Sequence, residues 1–242
     1  MSYKIQYRSY DKKPQRGVLR LLDQIVEPDF NCIDVGANIG CITMHMRRLA
    51  SRGIVVSIEP DTKNYDILLH HLKINNERAI TLNIGLSDAP GELPLYINPR
   101  NHGDYRLWEE YGTKKLRQRY KYKGQVRVDT LDHVLSELPR VKFDLIKIDT
   151  QGMEYHILLG ARLFLESFNG YMIIELWPPG LRGMKVNRSH FIELLFDNFD
   201  SIYEMDRKRR MTPRKLEEIG NSLGSNDINL LCIKNKPNFS WE

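Results

Sequence analysis

The sequence is poor in cysteine and has no long apolar run and no internal repeat. Each shortage removes a class of protein. There are three cysteines in 242 residues. Cys32 and Cys41 flank one turn and Cys232 lies near the end. An odd, scattered set has neither metal-ligand spacing nor a disulfide framework, so three buried core thiols are expected. No stretch approaches the roughly 18 apolar residues that cross a bilayer, and no membrane span is expected. Residues 1–20 are polar and lack the apolar core of a signal peptide, which leaves the cytoplasm as the expected location. Charge of one sign is not dominant. Thirty-six Lys and Arg against 31 Asp and Glu give +5, a balance that suits anionic partners without requiring them.

What is present is an ordinary globular composition, with 41% hydrophobic residues. The length fits a single domain, 1–242, with a helical extension over 1–29 and an inserted segment over 98–124. Short apolar runs at 32–35, 54–58, 80–84, 143–148 and 171–176 alternate with helical patterns at 18–26, 39–50, 61–75, 130–138, 153–168 and 189–199. That alternation is the mark of a parallel sheet with crossover helices. Residues 92–97 read as an added antiparallel strand and 125–128 as a further one. Thr212-Pro213 opens a last helix, and 201–205 and 228–233 form a closing antiparallel pair. The expected fold class is α/β: about seven strands, mostly parallel, with an antiparallel last strand.

The chemistry-bearing residues gather at strand ends. The first strand runs into Asp34-Val35-Gly36-Ala37-Asn38-Ile39-Gly40, a glycine-bearing turn into a helix, where backbone can approach a ligand. A dinucleotide site would have further glycines where Asn38 and Cys41 stand, and no Lys-Ser or Lys-Thr follows, so NAD, FAD and a P-loop are disfavoured. Glu59 ends the second strand, where a carboxylate can accept from a ribose diol. Gly85-Leu86-Ser87-Asp88 ends the third; Ser87 and Asp88 are placed beside the ligand's base, with a plain turn as the structural alternative. Asp149 ends the fourth strand, Gly152 permits a tight turn, and Glu154 suits a helix start. Glu175 ends the next strand, followed by Trp177. The insert mixes His102, Asp104, Tyr105, Arg106, Trp108 and Tyr111 with many cations, and a segment this long is expected to serve as a lid. A solvated helix over 116–123 is the structural alternative.

Taken together, the glycine loop, Glu59-Pro60, Asp129-Thr130-Leu131-Asp132, Lys147-Ile148-Asp149-Thr150-Gln151-Gly152-Met153-Glu154 and Leu158-Leu159-Gly160-Ala161 resemble the FkbM-type methyltransferases. The resemblance covers residues 31–175, with an echo at Asn229-Leu230-Leu231. It departs at Gln151, where the family's usual pattern has Glu. It implies a Rossmann-like class I methyltransferase fold, S-adenosyl-L-methionine as cofactor, and O-methylation of a sugar, polysaccharide or natural-product hydroxyl. The cofactor residues are then expected to be Asp34, Gly36, Asn38, Gly40, Glu59, Ser87, Asp88 and Asp149. A sugar hydroxyl is a weak nucleophile, so a general base is expected: Asp149 first, then Glu175, with His156 and His102 as further candidates. For His156, helix packing is the structural alternative. A small-molecule or glycan acceptor, anionic in view of the basic insert, is expected to meet His102, Asp104, Tyr105, Arg106, Glu154 and Trp177. No metal ligands are assigned, and a magnesium ion held by Asp149, Glu154 and Glu175 stays open as the alternative to a general base. Two other classes stay open: a nucleic-acid methyltransferase, which a basic, tyrosine-rich segment would suit, and an inactive binding protein that keeps the fold. Against the first, the Asn-Pro-Pro-Tyr type of motif is absent. Against the second, Gly36, Gly40, Glu59 and Asp149 are all present.

Overall fold

A computed structural model describes residues 13–101, 103–108, 119–236 and 239–241. The chain begins α1 (Lys13–Ile25), β1 (Cys32–Val35), α2 (Cys41–Leu49), β2 (Val55–Ile58), α3 (Thr62–Ile74), β3 (Ile80–Leu82). Next come β4 (Gly85–Leu86), β5 (Gly91–Ile97), β6 (Lys121–Asp129), α4 (Leu131–Ser136), β7 (Leu145–Ile148), α5 (Glu154–Leu159) and α6 (Arg162–Ser167). The last part is β8 (Gly170–Leu176), α7 (Pro178–Gly183), α8 (Arg188–Asn198), β9 (Ser201–Glu204), β10 (Arg209–Arg210), α9 (Pro213–Ser222) and β11 (Ile228–Lys234).

Eight strands form the main sheet in the order β10-β9-β11-β8-β7-β1-β2-β3. β1 pairs in parallel with β2 and β7, β2 with β3, and β7 with β8. Every residue of β1, β2 and β7 is buried, because helices cover both faces, and this is why these strands read as unbroken apolar runs. β11 enters between β8 and β9 and runs against both, and β10 at the edge runs against β9. One core packs Ile33, Val56, Ile146 and Ile174 with Ile157, Leu165 and Phe191. The other face packs Cys32, Val55 and Leu145 with Leu22 and Ile25 of α1 and Ile42 and Met46 of α2. No helix among the described residues is long and apolar enough to cross a membrane.

Three expectations are corrected. The strand at 80–84 stops at Leu82, and the chain passes into a second sheet, β4-β6-β5. In it, β5 and β6 pair antiparallel from Gly91↔Val128 to Ile97↔Lys121, so 92–97 and 125–128 extend each other rather than the main sheet. The single helix at 153–168 is two helices, broken at Gly160-Ala161. The cause lies in packing: a Cβ on Gly160 would lie 2.2 Å from the Ser87 carbonyl oxygen, and Asp132 accepts from the Leu163 and Phe164 N–H groups, both at 2.9 Å, starting a new helix there. Finally, Cys32 and Cys232 are buried but Cys41 is only partly so, and all three are free. Thr212 caps the last helix as expected, accepting from Lys215 N, and Asp61 and Thr130 cap α3 and α4 by accepting from Asn64 N and His133 N.

Candidate active site

A cleft opens at the carboxyl ends of β1, β2 and β7, the place where such sheets hold ligands. Its walls are Gly36, Ala37 and Asn38 after β1, Ile58, Glu59 and Pro60 after β2, Ile84, Gly85 and Leu86, and Asp149, Thr150 and Gln151 after β7. Gly103, Tyr105 and Leu107 close it from the insert. The loop after β1 is pinned to β2, since Gly36 N and Ala37 N both donate to the Ile58 carbonyl at 3.0 Å. Gly36 has φ 74, and a Cβ there would lie 2.1 Å from the Asp149 carbonyl oxygen. Only glycine lets β1 and β7 approach this closely. Asn38 also takes a positive φ, 53.

Glu59 is buried and accepts from Asn38 N at 2.8 Å and Asp61 N at 2.9 Å. Burial pushes its carboxyl up to about 7, against the pull of these two N–H groups. A carboxylate has about four acceptor positions, so capacity for a diol remains. The glycine cradle at Gly36, the carboxylate at Glu59 and the apolar walls at Ile58, Ile84 and Leu86 together fit a ribose with an attached base.

Asp34 lies beneath the loop, fully buried. Its Oδ2 accepts from the Thr43 hydroxyl at 2.7 Å, and Ser57 donates to Thr43 at 2.9 Å. Its Oδ1 is 3.4 Å from Lys147 Nζ. Asp34 is thus a support for the loop rather than part of the cleft wall. Lys147 also stands 3.7 Å from Asp149 Oδ2. Burial works against its charge, but the carboxylates of Asp149 and Asp34 outweigh it and hold its pKa above the ordinary lysine value. Lys147 was not singled out from the sequence. The available signal was period two along β7, which puts 147 and 149 on one face, and Asp34↔Lys147 are partners in the β1–β7 register.

Asp149 and Glu175, from adjacent strands, meet across one side chain. Gln151 Nε2 lies 3.3 Å from Asp149 Oδ1 and 3.3 Å from Glu175 Oε2. Glu175 is buried, and burial pushes its carboxyl well above the usual range, with the charges of Asp149, Glu154 and Asp227 adding. The Asp149 side chain is 37% exposed, whereas those of Glu59, Glu154 and Glu175 are buried.

The remaining sequence expectations divide sharply. Glu154, assigned to the acceptor, is buried and accepts from Thr150 N at 2.8 Å, Thr150 Oγ1 at 2.9 Å and Gly152 N at 2.9 Å. It holds the turn, and burial raises its carboxyl to about 7. Ser87, Asp88 and His156 lie outside the cleft lining, together: the Ser87 hydroxyl donates to Asp88 at 3.0 Å, and His156 Nδ1 is 3.4 Å from Asp88 Oδ2. The Gly160 break draws them there. Gly40, with φ 88, also stands back from the cleft, since a Cβ there would meet Leu68 at 2.4 Å. Along 103–108 the backbone alternates, and of this stretch only Gly103, Tyr105 and Leu107 line the cleft. Tyr105 therefore joins the wall near Glu59 rather than a separate acceptor site. Asp104 and Arg106 are buried and paired, Nε to Oδ1 at 3.1 Å, and Asp104 also accepts from Asn98 and Tyr120. The Arg106 guanidinium stacks 4.1 Å from the Tyr120 ring centroid and 4.5 Å from that of Trp177. Trp177 donates its indole N–H to the Ser225 carbonyl at 3.2 Å. These three are packing partners. His102, Tyr111 and 109–118 of the insert lie outside the described residues. Among the described residues, no group of three or more His, Cys, Asp and Glu is placed to hold a metal ion.

Comparison with known proteins agrees with this geometry. The family model described as the methyltransferase FkbM domain matches residues 34–205. The chain is 29% identical over 175 residues to the methyltransferase sdnD of Sordaria araneosa, covering 62% of this chain and 68% of that one. It is 27% identical over 177 residues to the hexuronic acid methyltransferase AglP of Haloferax volcanii, covering 70% and 65%. The crystal structure of a methyltransferase FkbM from Methylobacillus flagellatus superposes with a TM-score of 0.51 at 16% identity, over 94% of this chain and 46% of that one. The chain therefore spans about two thirds of the length of the two curated relatives and about half of that crystal structure's chain. With the glycine cradle, the strand-end acids and the matched domain in agreement, the chain belongs to the FkbM methyltransferase family and is an S-adenosylmethionine-dependent methyltransferase of that type.

Proposed function

We propose that the protein methylates a hydroxyl of a sugar, polysaccharide or natural-product acceptor that carries negative charge. The observation that carries this is Asp149: a carboxylate at the end of a central strand, in the cleft wall, and partly open while Asp34, Glu59, Glu154 and Glu175 are buried. When bound, S-adenosylmethionine supplies a methyl group already activated on sulfur. Glu59 and the Gly36 loop hold the donor. Asp149 orients the acceptor hydroxyl and takes its proton as the oxygen–methyl bond forms and the methyl–sulfur bond breaks. Alignment of two bound reactants supplies roughly 7–11 kcal/mol, and a positioned base about 10²–10⁴-fold. The relative described as a hexuronic acid methyltransferase supports an acidic sugar, as does the net charge of +5.

The test is transfer of labelled methyl from the donor to uronate-containing oligosaccharides, neutral oligosaccharides and RNA, each product then treated with alkali. Alkali-stable label on the uronate glycan is expected. Alkali-labile label would mean a methyl ester on the carboxylate, and label on RNA alone would mean a nucleic-acid enzyme. Either would overturn the proposal.

A further inference from the structure

Gln151 stands where two acids from neighbouring strands meet. Its two amide hydrogens serve two acceptors, Asp149 Oδ1 and Glu175 Oε2, both at 3.3 Å. The residue has φ 58, a left-handed conformation that is unfavourable for a non-glycine residue and persists only where the surroundings impose it. The imposing contact comes from the insert. Trp108 Nε1–H donates to the Gln151 carbonyl oxygen at 2.8 Å. The indole is itself wedged between glycines. A Cβ on Gly183 would lie 2.2 Å from its ring, and one on Gly152 would lie 2.8 Å from Nε1. On the other side of the turn, Gly152 N is held by Glu154 at 2.9 Å. Gln151 is thus fixed through its backbone while its side chain reaches back across the strand ends.

Resting on the reading of Asp149 as the base, we infer that Gln151 is a positioning residue that holds Asp149 and Glu175 in one orientation toward the acceptor, and that Trp108 fixes Gln151 in the conformation that makes this bridge.

The charges around the pair explain the need for it. Asp149 and Glu175 face Lys147 of β7, Asp34 of β1, Glu154 of α5 and Asp227 before β11. One ammonium among so many carboxyl groups does not allow all of them to ionise together. An amide that donates to both favours their charged forms. It does so without adding a charge of its own between the two carboxyl groups.

The test uses Gln151→Leu, which keeps the bulk and loses the donors, and Trp108→Phe, which keeps a ring and loses the N–H. With the acceptor found above, turnover of Gln151→Leu should fall about 10- to 100-fold. The acid limb of its pH–rate profile should move to higher pH, because removing a donor to the ionised form raises the pKa of the base. Trp108→Phe should move both in the same direction by less. Calorimetric affinity of both variants for S-adenosylhomocysteine should fall by less than turnover does, because Gln151 is one wall residue among many and the Gly36 loop and Glu59 are unchanged. Independently of any acceptor, a carboxyl-carbon NMR titration of the full chain should show the Asp149 and Glu175 resonances moving together in Gln151→Leu. If the parent protein methylates no acceptor but these resonances move, the proposed function fails and the bridge stands. Parent-like titration and an unshifted pH profile in Gln151→Leu would overturn the inference. So would loss of S-adenosylhomocysteine binding in both variants, which would make the turn a donor wall only.

Discussion

Asp149 and Glu59 are both strand-end carboxylates, and their surroundings suit them to different parts in the proposed reaction. Asp149 is open to the cleft and shares Lys147 with the buried Asp34. Replacing it with Asn keeps the shape and removes the proton acceptor. Turnover should then fall by about 10²–10⁴ while calorimetric affinity for S-adenosylhomocysteine stays near the parent value. Parent-like turnover would remove Asp149 from the chemistry. Glu59 is closed in, with its carboxyl pushed up to about 7 by burial. In the proposed binding mode ribose hydroxyls donate to its ionised form, so donor affinity should rise as pH passes upward through about 7. Glu59→Gln should bind more weakly and flatten that dependence. A dependence of equal slope in the variant would assign it to another group.

At the scale of elements, the insert and the small sheet act as a brace between the two halves of the site. Lys123 of β6 pairs with the buried Asp61 at the start of α3, and Tyr96 bridges Arg106. Leu107 and Tyr105 close the donor cleft, while Trp108 presses on the turn after β7. The glycine at 183 is required by this packing rather than by its backbone angles. Gly183→Ala would place a methyl group 2.2 Å from the Trp108 ring. Overpacking of this kind costs about 1–3 kcal/mol, to be read from the urea midpoint at constant slope. Turnover should fall with it, since Trp108 would be displaced from the Gln151 carbonyl. An unchanged midpoint would show that α7 moves aside freely. The same scale explains why the helix at 153–168 misled: its apolar spacing is helical throughout, and what breaks it is the approach of the Ser87 backbone to Gly160, a contact between segments more than seventy residues apart in the chain.

For the whole molecule, three buried acids share one sign. Glu59 and Glu154 are each raised to about 7, and Glu175 well above the usual value, burial being the largest cause in all three. A carboxyl whose folded pKa lies above its unfolded value of 4.5 contributes stability that is full below 4.5 and is lost as pH rises through about 7. The donor-free protein should therefore melt at a lower temperature near pH 8 than near pH 6, with scanning calorimetry as the measurement. Saturation with S-adenosylhomocysteine should offset part of the loss, because binding to the folded state alone stabilises it. A melting temperature that climbs over this range would mean that the acids fold already ionised.

The sequence by itself determined the alternation of strands and helices, the glycine loop at Gly36, and the strand-end positions of Glu59, Asp149 and Glu175. These are local facts, set by side-chain period and by the few conformations a turn allows. It did not determine which of the nearby polar groups would face the cleft. Ser87, Asp88 and His156 share the same loops and helices as the site, yet the break at Gly160 gathers them outside the cleft lining. Asp104 and Arg106 look like ligand-binding residues, yet they are buried against each other and against Tyr120. Gln151 stood out in the sequence only as a departure from the family pattern and Lys147 only by its period along β7, because their contacts depend on the register of β1 against β7 and on Trp108. Only the tertiary structure decided these, because a side chain's direction at the end of a strand is set by what packs on it from distant parts of the chain.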